Sequence, residues 1–209
     1  MVGTGSQSVG GGDGNSDCRL KDLVVEAQDG STGAFDSLAG EFYGAIYRMV
    51  FYRTRSRMDA EDVTQEVFVK AFKHLRQLKD PALFRPWLFR IASNQVRDFR
   101  RKQNVLRLMD VVLDREEHRK RAEQVHQNPP PEEYTWSRQF WKQVERFSKK
   151  LSKWEREVFY LRFLDSLAIH EISQVLGKSP STVKTHLYRA LEKFRNDPDL
   201  RHCLKEEMQ

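Results

Sequence analysis

The side chains with the most to offer chemically lie between Ser181 and Arg189. There Ser181, Thr182, Lys184, Thr185, His186, Tyr188 and Arg189 are interleaved at helical spacing with Val183, Leu187, Ala190 and Leu191. If the apolar set faces a core, the polar set is left outside in a combination that suits a DNA major groove. Lys and Arg reach guanine edges or phosphates, and Ser, Thr and Tyr donate to phosphate oxygens. The residues ahead of this helix fit a helix-turn-helix over Ile169 to Leu191. Gly177 ends one helix where positive φ is needed, Ser179 is an N-cap, and Pro180 occupies the first turn of the next. An ordinary helical hairpin with a solvated face carries the same polarity, so this segment alone leaves both readings open. His186 has no Cys or His at ligand spacing, which leaves it as a base reader or a surface polar residue.

Two further clusters stand out. From Phe84 to Lys102 there are six basic residues against the single acid Asp98. Trp87, Arg90, Asn94, Arg97 and Arg101 fall at steps of three or four, so they line one helical face with an aromatic at its start, while Leu88, Ile91 and Ala92 pack inward. Exposed bases stack on aromatic rings while phosphates pair with cations, so this face, with Phe84 beside Trp87, fits separated DNA strands. Core packing is the alternative for both aromatics. Earlier, Asp59, Glu61, Asp62 and Glu66, with Gln65, gather at the start of a helix running to Leu75. Carboxylates there complement the helix dipole, and they also present an acidic docking face to a basic partner. General acid–base or metal-assisted catalysis lacks any supporting His or metal-ligand pattern, so no catalytic residue, metal or cofactor is expected.

These clusters sit in a 209-residue chain of net charge +6. The segment Phe84–Lys102 carries +5 and Lys178–Arg195 carries +4, so the rest of the chain is mildly acidic. Two basic patches on an otherwise acidic body are the footprint of a polyanionic partner. Cys18 and Cys203 lie near opposite ends, and no apolar run is long enough to cross a bilayer, which with the absence of a basic secretory start predicts a cytoplasmic protein.

The elements that position the clusters are helical. Apolar residues recur at helical spacing through Phe35, Leu38, Phe42, Ile46, Met49 and Val50, then Val63, Val67, Ala71 and Leu75. The pattern returns at Trp136, Phe140, Val144, Phe147 and Leu151 and continues to Phe194, and no segment of comparable length alternates like a strand. The expected fold is all-α: a helical domain over 19–103, a linker over 104–134, and a smaller helical bundle over 135–199. Residues 1–17 hold six of the eleven glycines and no aromatic, and 200–209 form a short tail, so both ends are expected to be flexible. The triple proline at 129–131 excludes a helix within the linker.

Three motifs together resemble the extracytoplasmic-function group of the bacterial sigma-70 family of RNA polymerase sigma factors. Asp59-Ala-Glu-Asp-Val-Thr-Gln-Glu-Val-Phe resembles region 2.2, Pro86-Trp-Leu-Phe-Arg-Ile-Ala-Ser-Asn the start of region 2.4, and Ser181-Thr-Val-Lys-Thr-His-Leu-Tyr-Arg-Ala the region 4 recognition helix. They occur in family order, and the likeness covers roughly residues 33–103 and 136–195. It implies a detachable specificity subunit whose partners are core RNA polymerase, through the β′ coiled coil and the β flap, promoter DNA, and an anti-sigma factor that can hold it near the membrane. It implies that Asp62, Gln65 and Glu66 dock on the β′ coiled coil, and that the loop from Arg76 to Leu83, with Trp87 and Asn94, captures the melted minus-10 element. Lys184, His186 and Arg189 would then meet the minus-35 element. His186 stands where the family commonly has arginine, Ser173 where it has alanine, and Lys178 where an apolar residue is frequent in the turn. A stand-alone helix-turn-helix regulator is the competing reading and would need a dimer surface; a nuclease or recombinase would need clustered carboxylates or an activated nucleophile, which the sequence lacks.

Overall fold

A computed structural model of the chain describes residues 13–112 and 138–197. The glycine-rich start to residue 12, the stretch 113–137 with its prolines and Trp136, and residues 198–209 with Cys203 lie outside the described residues. Every regular element among the described residues is helical, and no helix there is long and apolar enough to cross a membrane.

The first module is built from α1 (Asp13–Gln28), α2 (Thr32–Thr54), α3 (Arg57–His74) and α4 (Phe84–Val112). Helix α1 starts within the stretch expected to be a flexible tail. Its second half is amphipathic, with Val24 fully buried and Leu20, Leu23 and Ala27 packed on the core, and the helix propagates outward from that anchor. Gly30 reverses the chain at φ 109°, a value that strains any residue with a Cβ, and Ser31 then caps α2 by accepting from the Ala34 amide. Ser56 caps α3 in the same way through the Asp59 amide. One face of α2 (Leu38, Phe42, Ile46, Met49, Val50) meets Ala60, Val63, Val67 and Ala71 of α3 and Phe84, Leu88, Phe89 and Ala92 of α4.

Helix α4 runs past Lys102 to Val112, into the stretch expected to be linker. Residues 104–112 contain neither Pro nor Gly, so the helix continues without a breaker. Its Val105, Leu106, Leu108 and Met109 are exposed, although Val105, Leu108, Met109 and Val112 keep the helical spacing in sequence. Phe84 is also reassigned. Expected beside Trp87 on a strand-binding face, it is 1% exposed and meets Phe42 edge-on at 5.4 Å, so it is a core residue and cannot stack on a base.

The second module comprises α5 (Arg138–Lys150), α6 (Lys153–Phe159) with a π turn at Tyr160–Leu164, α7 (Ile169–Leu176) and α8 (Pro180–Arg195). Ser152 and Glu155 form a reciprocal capping box that starts α6. Phe147, Val158, Leu161, Leu167, Ile172, Val183 and Ala190 fill its interior, and this core is continuous with that of the first module where α4 packs on α7.

Ion pairs lock that junction. The Arg53 side chain, at the end of α2, is 1% exposed and donates from Nη2 to Asp165 Oδ2 at 3.0 Å and from Nε to Glu157 Oε1 at 3.2 Å. Its Nη1 donates to the Met49 carbonyl, its own carbonyl accepts from Arg100 Nη2, and the guanidinium lies over the Tyr160 ring. Arg85, at the start of α4, makes a forked contact to both Glu171 oxygens at 2.7 and 2.8 Å. Burial pushes the Asp165 carboxyl up to about 6 even though Arg53 pulls it the other way. Its Oδ1 is buried with no partner, a geometry that favours the protonated acid.

Two outcomes follow. Phe84→Ala lowers unfolding stability by about 3–5 kcal/mol in urea titration, because it empties a packed aromatic site; a loss under about 1 kcal/mol would contradict the core assignment. Asp165 holds its proton more tightly between the modules than in water, where it ionises near 3.8, so acid favours the packed arrangement and raising pH through about 6 loosens it. Small-angle scattering between about pH 4 and pH 6.5 should show the radius of gyration growing in the wild type and staying level in Asp165→Asn. A level wild-type profile refutes the assignment.

Candidate nucleic-acid and polymerase interfaces

The helix-turn-helix is closed by contacts that use two of the unusual residues together. Gly177 ends α7 at φ 60°, the Lys178 amide donates to the Ser173 carbonyl at 3.1 Å, and the Ser173 hydroxyl donates back to the Lys178 carbonyl. The Lys178 ammonium then sits 3.9 Å from the centroid of the Trp154 ring, a cation–π contact that ties the turn to α6. Lys178 therefore replaces apolar packing with its stem and charge over an indole, and Ser173 supplies a bond that an alanine would not. Ser179 caps α8 by accepting from the Thr182 amide at 3.2 Å, and its hydroxyl also bonds the Ser181 and Thr182 hydroxyls.

With that start fixed, Val183 and Ala190 of α8 are fully buried. Ser181, Lys184, Thr185, Tyr188 and Arg189 are exposed, Tyr188 most of all among the large apolar and aromatic side chains at 68%. Thr185, Tyr188 and Arg189 line a shallow groove with Leu191, Glu192 and Arg195. Thr182 and His186 are half-buried, and the His186 Nδ1 is out of reach of solvent with no hydrogen-bond partner. His186 therefore sits on the flank of the outer face rather than at its centre, because three residues after Val183 and four before Ala190 it borders the apolar stripe.

On α4, Arg90, Asn94, Arg97 and Arg101 are exposed along one face, and Trp87 is half-buried at its start with its ring 5.9 Å from that of Phe84. Arg97 Nη1 donates to Asn94 Oδ1 and Arg101 pairs with Asp98, so the polar side chains are linked along the helix. The structure separates the six cations of this segment by destination. Arg85 and Arg100 turn to the module junction, whereas Arg90, Arg97, Arg101 and Lys102 stay in solvent. Ahead of α4, the 3₁₀ turns Leu75–Gln77 and Pro81–Leu83 bracket a short loop, and Asp80 caps the second turn by accepting from the Ala82 amide.

The acidic residues of α3 divide likewise. Asp59 is half-buried in the first turn, Glu61 lies 4.0 Å from Arg57, and Asp62 and Gln65 are exposed. Glu66 accepts from Gln95 Nε2 at 2.7 Å, and Gln95 in turn accepts from Lys70, so this carboxylate is braced from α4. Apolar side chains lie among them: Met58, Val69 and Phe72, the last of which follows the apolar spacing of α3, are each more than half exposed. Positions 62, 65, 66, 69 and 72 recur at helical spacing on one side of α3, a signal that was available in the sequence. The face is thus mixed acidic and apolar, the composition of a protein-docking surface more than of a solvated one.

Comparison with known proteins agrees with this layout. Residues 38–105 match the family model of sigma-70 region 2, and residues 142–194 that of sigma-70 region 4. The RNA polymerase sigma factor NccH of Alcaligenes xylosoxydans xylosoxydans is 30% identical over 172 residues, which cover 82% of this chain and 90% of NccH. The ECF RNA polymerase sigma factor SigW of Bacillus subtilis is 27% identical over 177 residues, 84% of this chain and 95% of SigW. The solved structure of CnrH in complex with the cytosolic domain of CnrY superposes with a TM-score of 0.60 at 26% identity, covering 85% of this chain and 96% of CnrH. Two helical modules, each matching its own sigma region in family order, place the chain in the sigma-70 family of RNA polymerase sigma factors, within its extracytoplasmic-function group.

Proposed function

We propose that the chain confers promoter choice on core RNA polymerase, with the residues of its three exposed faces in separate roles and the bond-making chemistry left to the polymerase. The observation that carries the reading is the presence of two outward cationic faces on separate modules together with an acidic–apolar face on α3. Ser181, Thr182, Lys184, Thr185, Tyr188 and Arg189 of α8 enter the major groove of the minus-35 element, with His186 at the edge of that contact. Trp87, Arg90, Asn94, Arg97 and Arg101 of α4, with the 76–83 loop, hold the opened minus-10 strand. Asp62, Gln65 and Glu66, flanked by Asp59 and Glu61 and by the exposed Met58, Val69 and Phe72, dock on the β′ coiled coil, and the second module meets the β flap. The related CnrH was solved in complex with the cytosolic domain of CnrY, which supports a protein partner here as well, in keeping with the anti-sigma factor that the family resemblance implies. Work on DNA beside polymerase fits a cytoplasmic location.

The packed arrangement of the two modules constrains how this happens. The minus-35 and minus-10 elements are about 25 base pairs apart, roughly 80 Å of duplex. A packed chain of this length has a radius of gyration near ~17 Å. The modules therefore part when both elements are engaged, and the Arg53 and Arg85 contacts are released in that step.

About six phosphate contacts from the two basic faces give a slope of log affinity against log salt near −5. A flat dependence of holoenzyme–promoter binding removes the phosphate contacts from the reading. Arg189→Ala weakens closed-complex binding by about tenfold or more. Trp87→Ala leaves the closed complex in place and reduces permanganate reactivity of the minus-10 strand, and an unchanged footprint excludes Trp87. Failure of the chain to elute with core polymerase and to direct run-off transcription overturns the proposal as a whole.

A further inference from the structure

Helix α1 ends in a side chain that reaches across to the 76–83 loop. Gln28 is the last residue of α1, half-buried, and its Nε2 donates to two carbonyls at once, Leu75 O at 2.9 Å and Leu78 O at 2.7 Å. These carbonyls bracket the 3₁₀ turn where α3 gives way to the loop; Leu75 O also closes the turn by accepting from the Leu78 amide at 3.0 Å, so Gln28 adds a second bond there and engages the Leu78 carbonyl beyond the turn. A return bond completes the clamp: Arg76 Nε donates to the Gln28 carbonyl at 3.0 Å, placing a cation at the C-terminal end of α1. Leu75 and Leu78 are buried, whereas Arg76, Gln77, Lys79, Asp80, Ala82 and Leu83 face solvent. The loop is thus pinned on its inner side by Gln28 and at its far end by the Asp80 cap, with Gln77, Lys79 and Leu83 exposed on its outer side to meet a ligand.

We propose that Gln28 is a positioning residue for strand capture: its carboxamide sets the path of the loop that receives the opened minus-10 strand. The inference rests on the reading of this loop given above and deepens it. The assignment reaches outside the matched region, which begins at residue 38, so the whole of α1 precedes it. A glutamine fits the task because one NH₂ carries two donors, enough for two carbonyls. Methionine at this position fills the same space with no donor, and glutamate turns an acceptor toward two acceptors. A loop held before the strand arrives binds without the entropy of ordering it, so losing the clamp weakens capture while leaving remote contacts alone.

The test uses full-length chain with core polymerase and, as probe, a fluorescent single-stranded oligonucleotide carrying the non-template minus-10 strand of a promoter the holoenzyme starts from. In Gln28→Met and Gln28→Glu, binding of that strand weakens by up to about tenfold, the ceiling set by the net worth of the two clamp bonds, which act on the strand only through the order they give the loop. Binding to a duplex minus-35 fragment and elution with core polymerase stay at the wild-type level. Hydrogen exchange of the amides between 75 and 83 quickens while that of α8 does not change. Wild-type strand binding in both variants, or unaltered exchange in the loop, overturns the proposal. An equal loss on the minus-35 duplex overturns it too, since the effect is then global. If the wild-type holoenzyme itself does not hold the strand, the reading of the loop fails, and the role of Gln28 fails with it.

Discussion

The arrangement of the molecule depends on one buried cation. A guanidinium cannot be withdrawn from water unless its hydrogen bonds and its charge are matched, because desolvation costs several kcal/mol per ion. Arg53 meets that condition only where residues from both modules converge: Met49 behind it on α2, Glu157 on α6 and Asp165 just after the π turn. The π turn is part of the solution. The Asp165 amide closes on the Tyr160 carbonyl at 3.0 Å, ending the helix where the carboxylate lies against Arg53. Such a pair specifies position more than it adds stability, since apolar residues of similar volume would pack as well, while removal of one partner leaves an unmatched charge.

That junction also decides which charges remain for nucleic acid. Arg85 is committed to Glu171, whose Oε2 simultaneously accepts from the Ala168 amide at the start of α7. Arg100 is committed to the carbonyl of Arg53. Arg90, Arg97 and Arg101, which pair with no carboxylate among the described residues of the second module, follow Trp87 in one row on the outer face of α4. Charge on this helix thus serves two ends, and its net value alone does not separate them. The turn before α8 shows the same division, with Ser173, Lys178 and Trp154 bracing α8 from behind and its exposed face left to Ser181, Lys184, Thr185, Tyr188 and Arg189.

The sequence by itself determined the helical class, the two modules and the start of α8. Each of these is local: apolar spacing sets a helix face, Gly177 permits positive φ, and Ser179 with Pro180 starts a helix wherever it is placed. The three motifs were legible for the same reason, being contiguous. The sequence did not decide which residue of an aromatic pair goes inside. Phe84 and Trp87 are three apart on one helix, and only the position of Phe42 from α2 buries the first and leaves the second partly open. The spacing of Val105, Leu108, Met109 and Val112 does carry a helical rhythm past Lys102, but only the tertiary structure shows that Val105, Leu108 and Met109 lie outside the core. The tertiary structure alone decided the fates of Arg53, Arg85, Arg100 and Gln28. Their partners lie 47 to 112 residues away, and a charge or an amide in a sequence carries no mark of what will face it when distant helices pack.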